Sequence, residues 1–361
     1  MSVHDQRIDR LRHALRDEGI PALLVTDGAN VTYLSGFTGD SSYLLVAADR
    51  QWLLTDSRYT EQAGQECPQC EVVERKETLV KATAEVVRQL GTGRVAFEAA
   101  AMPYATYEEL GEALDGVALE PQKDLVERLR RIKDDEEIAR LRVAIAVAEA
   151  AFRETVGGLA AGQSEREVAA RLDHAMRTRG AKKGSFEAIV AARQHSSMPH
   201  AQASDAVIQP GDPVLIDWGA EVELYCSDCT RVVFLAPPDE RWREVYGIVR
   251  EAQQRAIDAI RPGVALKAID SVARDHIRDA GYGERFGHGL GHGIGLRVHE
   301  APRFSQQAEG EVEAGMVVTV EPGIYIPGWG GVRIENMIVV REDGAEVLAS
   351  IPSDLDAMIL G

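Results

Sequence analysis

Four acidic residues in two strand–turn–strand segments, with a histidine-rich loop between them, carry the chemistry open to this sequence. From Val214 to Arg231 two apolar runs flank a short polar turn and contain Asp217 and Asp228. A turn centred on Val222-Glu223 sets Asp217 directly opposite Asp228, with Cβ atoms about 5 Å apart. Two like charges so placed repel unless a cation lies between them. The device recurs near the C-terminus, where Val317–Tyr325 and Gly331–Val340 read as strands around Pro327-Gly328-Trp329-Gly330. A hairpin centred on Gly328 sets Glu321 opposite Glu335, and a slip of one residue would undo the pairing.

Between the hairpins lies Gly287-His288-Gly-Leu-Gly-His292-Gly-Ile-Gly-Leu-Arg-Val-His299, whose glycines allow the backbone to approach a site and bring imidazoles to it. One imidazole with four carboxylates is a mixed nitrogen–oxygen set, suited to two divalent ions of the manganese, cobalt or zinc kind. Four negative charges balance two such ions, and two-metal sites generate a bridging hydroxide near neutral pH. Each piece alone has an ordinary reading: a solvated aspartate, a Glu-Pro-Gly turn, a glycine-rich loop. Their coincidence in one chain favours the metal site.

Elements to position these residues are legible. Residues 1–122 alternate strand and helix. Apolar runs at Ala22–Val25, Tyr43–Val46, Trp52–Leu54 and Arg94–Phe97 are separated by helical patterns such as Ile8, Leu11, Leu15 and Leu79–Leu90. This predicts an α/β domain, then a linker over 123–134 that begins near Pro121, then an α+β domain over 135–361. The second domain opens on a long charged helix with an apolar stripe at Ile138, Leu141, Ile145 and Ala148. A capping-box pattern, Ser164-Glu-Arg-Glu167, starts another helix, and two more span about 241–260 and 266–280.

Composition narrows the function. The chain has 361 residues, with 40 Lys+Arg against 58 Asp+Glu and a net charge of −18. That charge argues against a nucleic-acid partner, which needs a basic patch. No apolar run reaches the roughly 18 residues of a membrane span, and the first residues lack the apolar core of a signal peptide. A cytoplasmic protein that engages no membrane is expected. The pairs Cys67/Cys70 and Cys226/Cys229 invite a zinc-ribbon reading, but 155 residues separate them, against about 15–20 in such ribbons. Buried, incidental thiols are the better expectation.

Five blocks occur in order: Asp217-Trp-Gly-Ala, Ser227-Asp228-Cys-Thr-Arg231, His288-Gly-Leu-Gly-His292-Gly-Ile-Gly, Thr319-Val-Glu321-Pro-Gly-Ile-Tyr325 and Val332-Arg-Ile-Glu335-Asn. In these the chain resembles the pita-bread metallopeptidases, namely the Xaa-Pro aminopeptidases (aminopeptidase P) and Xaa-Pro dipeptidases (prolidases). Asn30–Gly39 and Leu54–Ala63 resemble the creatinase-like N-terminal domain of those enzymes. Methionine aminopeptidases lack that domain, and creatinase lacks the metal-ligand set.

The resemblance implies five metal ligands, Asp217, Asp228, His292, Glu321 and Glu335, holding two divalent ions, manganese first, with cobalt or zinc as alternatives. It implies substrate-side histidines at His200 and His299, a further active-site histidine at His288, and supporting residues at Tyr325 and Arg333. Glu321 would shuttle the proton, and His200 and His299 would stabilise the oxyanion. The substrates implied are proline-containing peptides and the assembly a homodimer. Thr55-Asp56-Ser-Arg58-Tyr59 tilts the reading mildly towards aminopeptidase P. A dipeptidase is the alternative, and a non-catalytic binding protein of the same fold comes after both. One departure stands out: Arg193 and His195 occupy positions where the family commonly has Gly and Asn. The missing glycine restricts that loop. His195 is expected as a solvent-exposed loop residue or, failing that, as a contact at the mouth of the site.

Overall fold

The computed structural model describes residues 2–360; the outermost residues of the two expected domains, Met1 and Gly361, lie outside them. The chain divides into two compact units, Met1–Arg130 and Arg131–Gly361. No helix among the described residues is long and apolar enough to cross a membrane.

In the first unit the four strands legible as apolar runs form the centre of a six-stranded mixed sheet. Two further strands, Glu71–Glu74 and Ala118–Gln122, close its edges. Both are half-exposed and polar, so they lack the apolar run that betrays the inner strands. Pro121 belongs to an edge strand, where a missing N–H costs no ladder bond. Helices flank the sheet, and Leu24, Leu45, Leu54, Val87 and Val95 pack in its core. Of the expected linker, Leu125–Arg131 is helical.

The second unit is built around a sheet in which Pro213–Trp218 lies between Ile189–Ala192 and Cys229–Phe234. The helix Asp135–Gly157 begins at a capping box on Asp134 and lays Ile138, Leu141, Ile145 and Ala148 inward. Phe152 of that helix stacks on Trp218 with ring centroids 4.1 Å apart, and Trp218 Nε1 donates to the Ala148 carbonyl at 2.9 Å. Replacing such a ring by alanine costs roughly 3–5 kcal/mol. Ser164 caps the helix Glu165–Thr178 with the expected reciprocal bonds to Glu167. Helices Glu240–Ala259 and Leu266–Asp279 complete the outer layer.

The first hairpin differs from the expected register. Its turn falls at Glu223-Leu224, both in the left-handed region (φ 47° and 74°), so Asp217 faces Thr230 rather than Asp228. Tight turns with two positive φ angles usually advertise themselves with Asn or Gly, and neither occurs here. The slide is two residues, so Asp217 and Asp228 become diagonal neighbours and stay on one face. At Gly219 the chains close so tightly that a Cβ would stand 1.8 Å from the Ser227 carbonyl oxygen.

The second hairpin keeps the expected register on both sides of the acids, Val317–Val320 opposite Asn336–Val339 and Gly323–Ile326 opposite Gly330–Arg333, with Gly328 at φ +77° in the turn. Unforeseen is the break in the ladder at the acids. Val317–Val320 pairs with Asn336–Arg341 in a five-stranded sheet, whereas Gly323–Ile326 pairs with Gly330–Arg333 in a separate ribbon. At the crossing Glu321 N donates to the Leu290 carbonyl and Glu335 N to the Thr230 carbonyl. The backbone at the two acids therefore ties the second hairpin to the His loop and to the first hairpin.

All four cysteines are free and buried. Burial pushes the thiols of Cys226 and Cys229 up to about 12. Both are thereby held as inert packing groups.

Candidate metal centre

The two hairpins and the His loop bring the five expected ligands to one cavity of about 560 Å³. Asp228, His292 and Glu335 each offer a donor atom, and these lie within 4.8 Å of one another. His292 Nε2 stands 3.3 Å from Glu321 Oε1 and 3.8 Å from Asp228 Oδ2. His292 Nδ1 lies 3.1 Å from the Gly293 carbonyl. A carbonyl can only accept, so Nδ1 carries a proton and Nε2 faces the carboxylates. Asp217 and Glu321 line the same cavity.

Electrostatics give the cluster its character. Burial, then the charge of neighbouring acids, pushes Asp228 and Glu335 well above the usual carboxyl range. Burial also raises Asp217, although the Arg333 guanidinium opposes it. Burial works to raise Glu321 too, but hydrogen bonding and charge from His292 outweigh it and leave this carboxyl lowered. Three oxygens, Asp217 Oδ1, Asp228 Oδ1 and Glu335 Oε1, are buried with no hydrogen-bond partner. Buried carboxylate oxygens left without partners are costly unless cations join them. The donor set therefore fits divalent metal ions.

A supporting layer holds Asp217 and Glu335 by their second oxygens and touches Glu321 at the oxygen nearest His292. Thr230 Oγ1 donates to Glu335 Oε2 at 2.8 Å, and Thr319 Oγ1 lies 3.3 Å from Glu321 Oε1. Arg333, buried, donates to Asp217 Oδ2 at 2.6 Å, to Thr230 Oγ1 at 3.0 Å, to the Tyr325 hydroxyl at 2.8 Å and to the Pro199 carbonyl at 3.2 Å. The Tyr325 hydroxyl lies 3.0 Å from His288 Nε2, whose Nδ1 is 2.8 Å from the Gly289 carbonyl. Burial lowers His288 and lifts Tyr325 to about 12, so a neutral ring accepts the phenol's proton in hydrogen bonding.

His200 and His299 are exposed to the cavity. His299 stands edge-on to His292 with centroids 4.3 Å apart, and burial lowers its pKa. His195 meets neither expectation. It is half-buried, does not line the cavity, and bonds the fully buried carboxylate of Glu165. Sequence reading missed Thr230, Thr319 and Arg303. Each threonine sits two residues from an expected ligand on the same strand face, a period-two signal that was available. Arg303, which lines the cavity without an acidic partner among the described residues, is opposite His292 in the sheet register. Only the fold reveals that placement.

A buried set of acids around a histidine defines a candidate site for divalent metal ions. Residues 139–342 match Metallopeptidase family M24 and residues 7–132 match the Creatinase/Prolidase N-terminal domain. The chain belongs to metallopeptidase family M24, in the pita-bread fold with a creatinase-type N-terminal domain. An uncharacterised peptidase of Bacillus subtilis (strain 168), YqhT, is 42% identical over 97% of this chain and 99% of its own. The Xaa-Pro dipeptidase from Bacillus anthracis superposes with a TM-score of 0.96 at 41% identity, over 99% of this chain and 100% of that one. The X-Pro aminopeptidase from Thermotoga maritima MSB8 gives 0.89 at 41% identity, over 95% and 99%.

Proposed function

We propose that this enzyme hydrolyses the bond between a first residue and a following proline, with Asp217, Asp228, His292, Glu321 and Glu335 holding two divalent ions, manganese by preference. The observation that carries the reading is the grouping of Asp228, His292 and Glu335 within 4.8 Å in a cavity where Asp217, Asp228 and Glu335 each keep a buried, unpartnered oxygen. When bound, such ions supply an activated water near neutral pH and polarise the scissile carbonyl. The amide before proline has no N–H, so it must be recognised by its carbonyl and ring. Glu321, whose carboxyl is held low, is ionised at neutral pH. It takes a proton from the attacking water and delivers it to the proline nitrogen as that nitrogen leaves. His299 and His200 donate hydrogen bonds to the developing oxyanion. Arg333 and Thr230 hold Asp217 and Glu335 in orientation, and the Tyr325–His288 contact fixes the wall beside them.

Arg303 supports a dipeptidase. An unpaired guanidinium facing the cavity offers a bidentate partner to the free carboxylate of a proline at the chain end. The similarity to an X-Pro aminopeptidase, together with the Thr55–Tyr59 segment, supports the second reading, an aminopeptidase P. Cleavage of an Ala-Pro dipeptide and an Ala-Pro-Ala tripeptide by manganese-loaded protein, with and without chelator, separates them. Chelator-sensitive cleavage of the dipeptide alone, weakened by Arg303→Ala mainly in KM, supports the dipeptidase. Release of alanine from the tripeptide makes the enzyme an aminopeptidase. Silence on both with two metals bound sinks the proline reading. The division of labour between residues 1–122 and 135–361, the homodimer and the cytoplasmic location belong to the same proposal, and light scattering checks the dimer.

A further inference from the structure

Glu165 is the first residue of the helix Glu165–Thr178, and no part of its side chain meets solvent. Its two oxygens accept from both ends of the segment that carries His200. Oε1 receives Ala192 N at 2.8 Å and His195 Nδ1 at 2.9 Å; Oε2 receives His195 Nδ1 at 2.7 Å, Ser204 N at 3.1 Å and Ser204 Oγ at 2.7 Å. A buried carboxylate so fully satisfied, at the positive end of a helix dipole, is a rigid fixture.

The middle of the same segment is pinned from the opposite side. Ser196 Oγ accepts from Gly331 N at 2.8 Å, and Arg333 Nη1 holds the Pro199 carbonyl. A Cβ on Gly331 would stand 2.2 Å from the Ser196 carbonyl oxygen, so the segment presses directly on the second hairpin. Arg193 adopts φ +47°, a strained setting for a residue with a Cβ, which the surrounding contacts must impose. His200 itself is exposed to the cavity, and its ring makes no hydrogen bond among the described residues. Its direction is therefore set by its backbone and not by its own partners.

We infer that Glu165, with His195 as its bridge, is a positioning residue for the reaction: it locks the 192–204 segment so that His200 faces the scissile bond. This rests on the proposed role of His200. The bridge is an imidazole N–H, donated from His195 Nδ1 to both oxygens of Glu165.

A double-mutant cycle on the full-length, manganese-loaded enzyme with Ala-Pro tests it, joined by hydrogen–deuterium exchange of the 192–204 segment. Glu165→Gln, which keeps the shape but offers an NH₂ to backbone donors, is expected to lower kcat about 10–100-fold, the usual effect of losing an outer support. Metal content stays unchanged, KM stays within about twofold, and exchange in the segment quickens. In a His200→Ala background the same change costs nothing further. His195→Ala behaves like Glu165→Gln and serves in its place if that variant fails to fold; His195→Asn, which keeps a donor, restores the rate. Equal losses from Glu165→Gln with and without His200, or unchanged exchange, overturn the inference alone. A His200→Ala enzyme with the parental kcat overturns the role of His200 and the inference with it.

Discussion

Arg333 Nη2 donates to Asp217 Oδ2 at 2.6 Å and so joins the second hairpin to the first inside the cavity. The bond occupies one oxygen of Asp217 and leaves Oδ1 buried without a partner. One guanidinium also serves Thr230, Tyr325 and the Pro199 carbonyl, a fork that an ammonium cannot reproduce.

Arg333→Lys should therefore weaken metal binding or activity about 10–100-fold. Arg333→Ala should also cost the metal-free protein about 3–5 kcal/mol, because it breaks a buried pair. Metal titration and urea unfolding read the two effects. An Arg333→Lys enzyme with parental affinity and rate would show the fork to be dispensable.

Asp228→Asn removes a ligand and, with it, a carboxyl that burial and neighbouring acids already disfavour as an anion. Turnover should vanish with the metal, while the metal-free melting temperature stays level or rises. Glu321→Ala should abolish turnover as well. Metal analysis beside calorimetry checks both; a variant that keeps both metals and its rate refutes the assignment.

The acids also set a pH dependence. Asp228 and Glu335 are raised in the folded chain. Without metal, their contribution to stability is fully present below the ordinary carboxyl range near 4 and is lost as pH rises through the raised values. Metal needs the ionised forms and releases protons on binding. The rise in melting temperature on adding manganese should thus grow from pH 5 to pH 8. A shift independent of pH would mean the acids are ionised already.

His299 approaches the His292 ring edge-on and holds no expected metal position. Its lowered pKa keeps the ring neutral and able to donate at pH 7. His299→Ala should leave metal content intact and cut kcat by about a hundredfold, the usual loss for one oxyanion donor. Parallel loss of metal and rate would make the residue structural.

Much of this was open to sequence reading. The apolar stripe of Ile138, Leu141, Ile145 and Ala148 and the caps at Asp134 and Ser164 are local signals, and the helices begin and face as those signals require. The register on either side of Glu321 and Glu335 was legible because the Gly328 turn fixes the pairing of the strands that flank them. The first hairpin was misread by two residues because Glu223-Leu224 takes left-handed angles that its residue types do not announce. The polar edge strands escaped because half-exposed strands carry no apolar run.

The sequence by itself determined which side chains could bind metal, on which hairpins, and on which strand face, since period and turn chemistry are properties of neighbours along the chain. Tertiary structure decided the rest. It sends the second hairpin from one sheet to another at its two acids, hands their amides to Leu290 and Thr230, and sets Arg303 opposite His292. It also hangs the His200 segment on Glu165. Apart from the local pairing of Arg303 with His292, these join residues at least about thirty positions apart, and only packing of the chain brings their hydrogen-bonding groups within reach of one another.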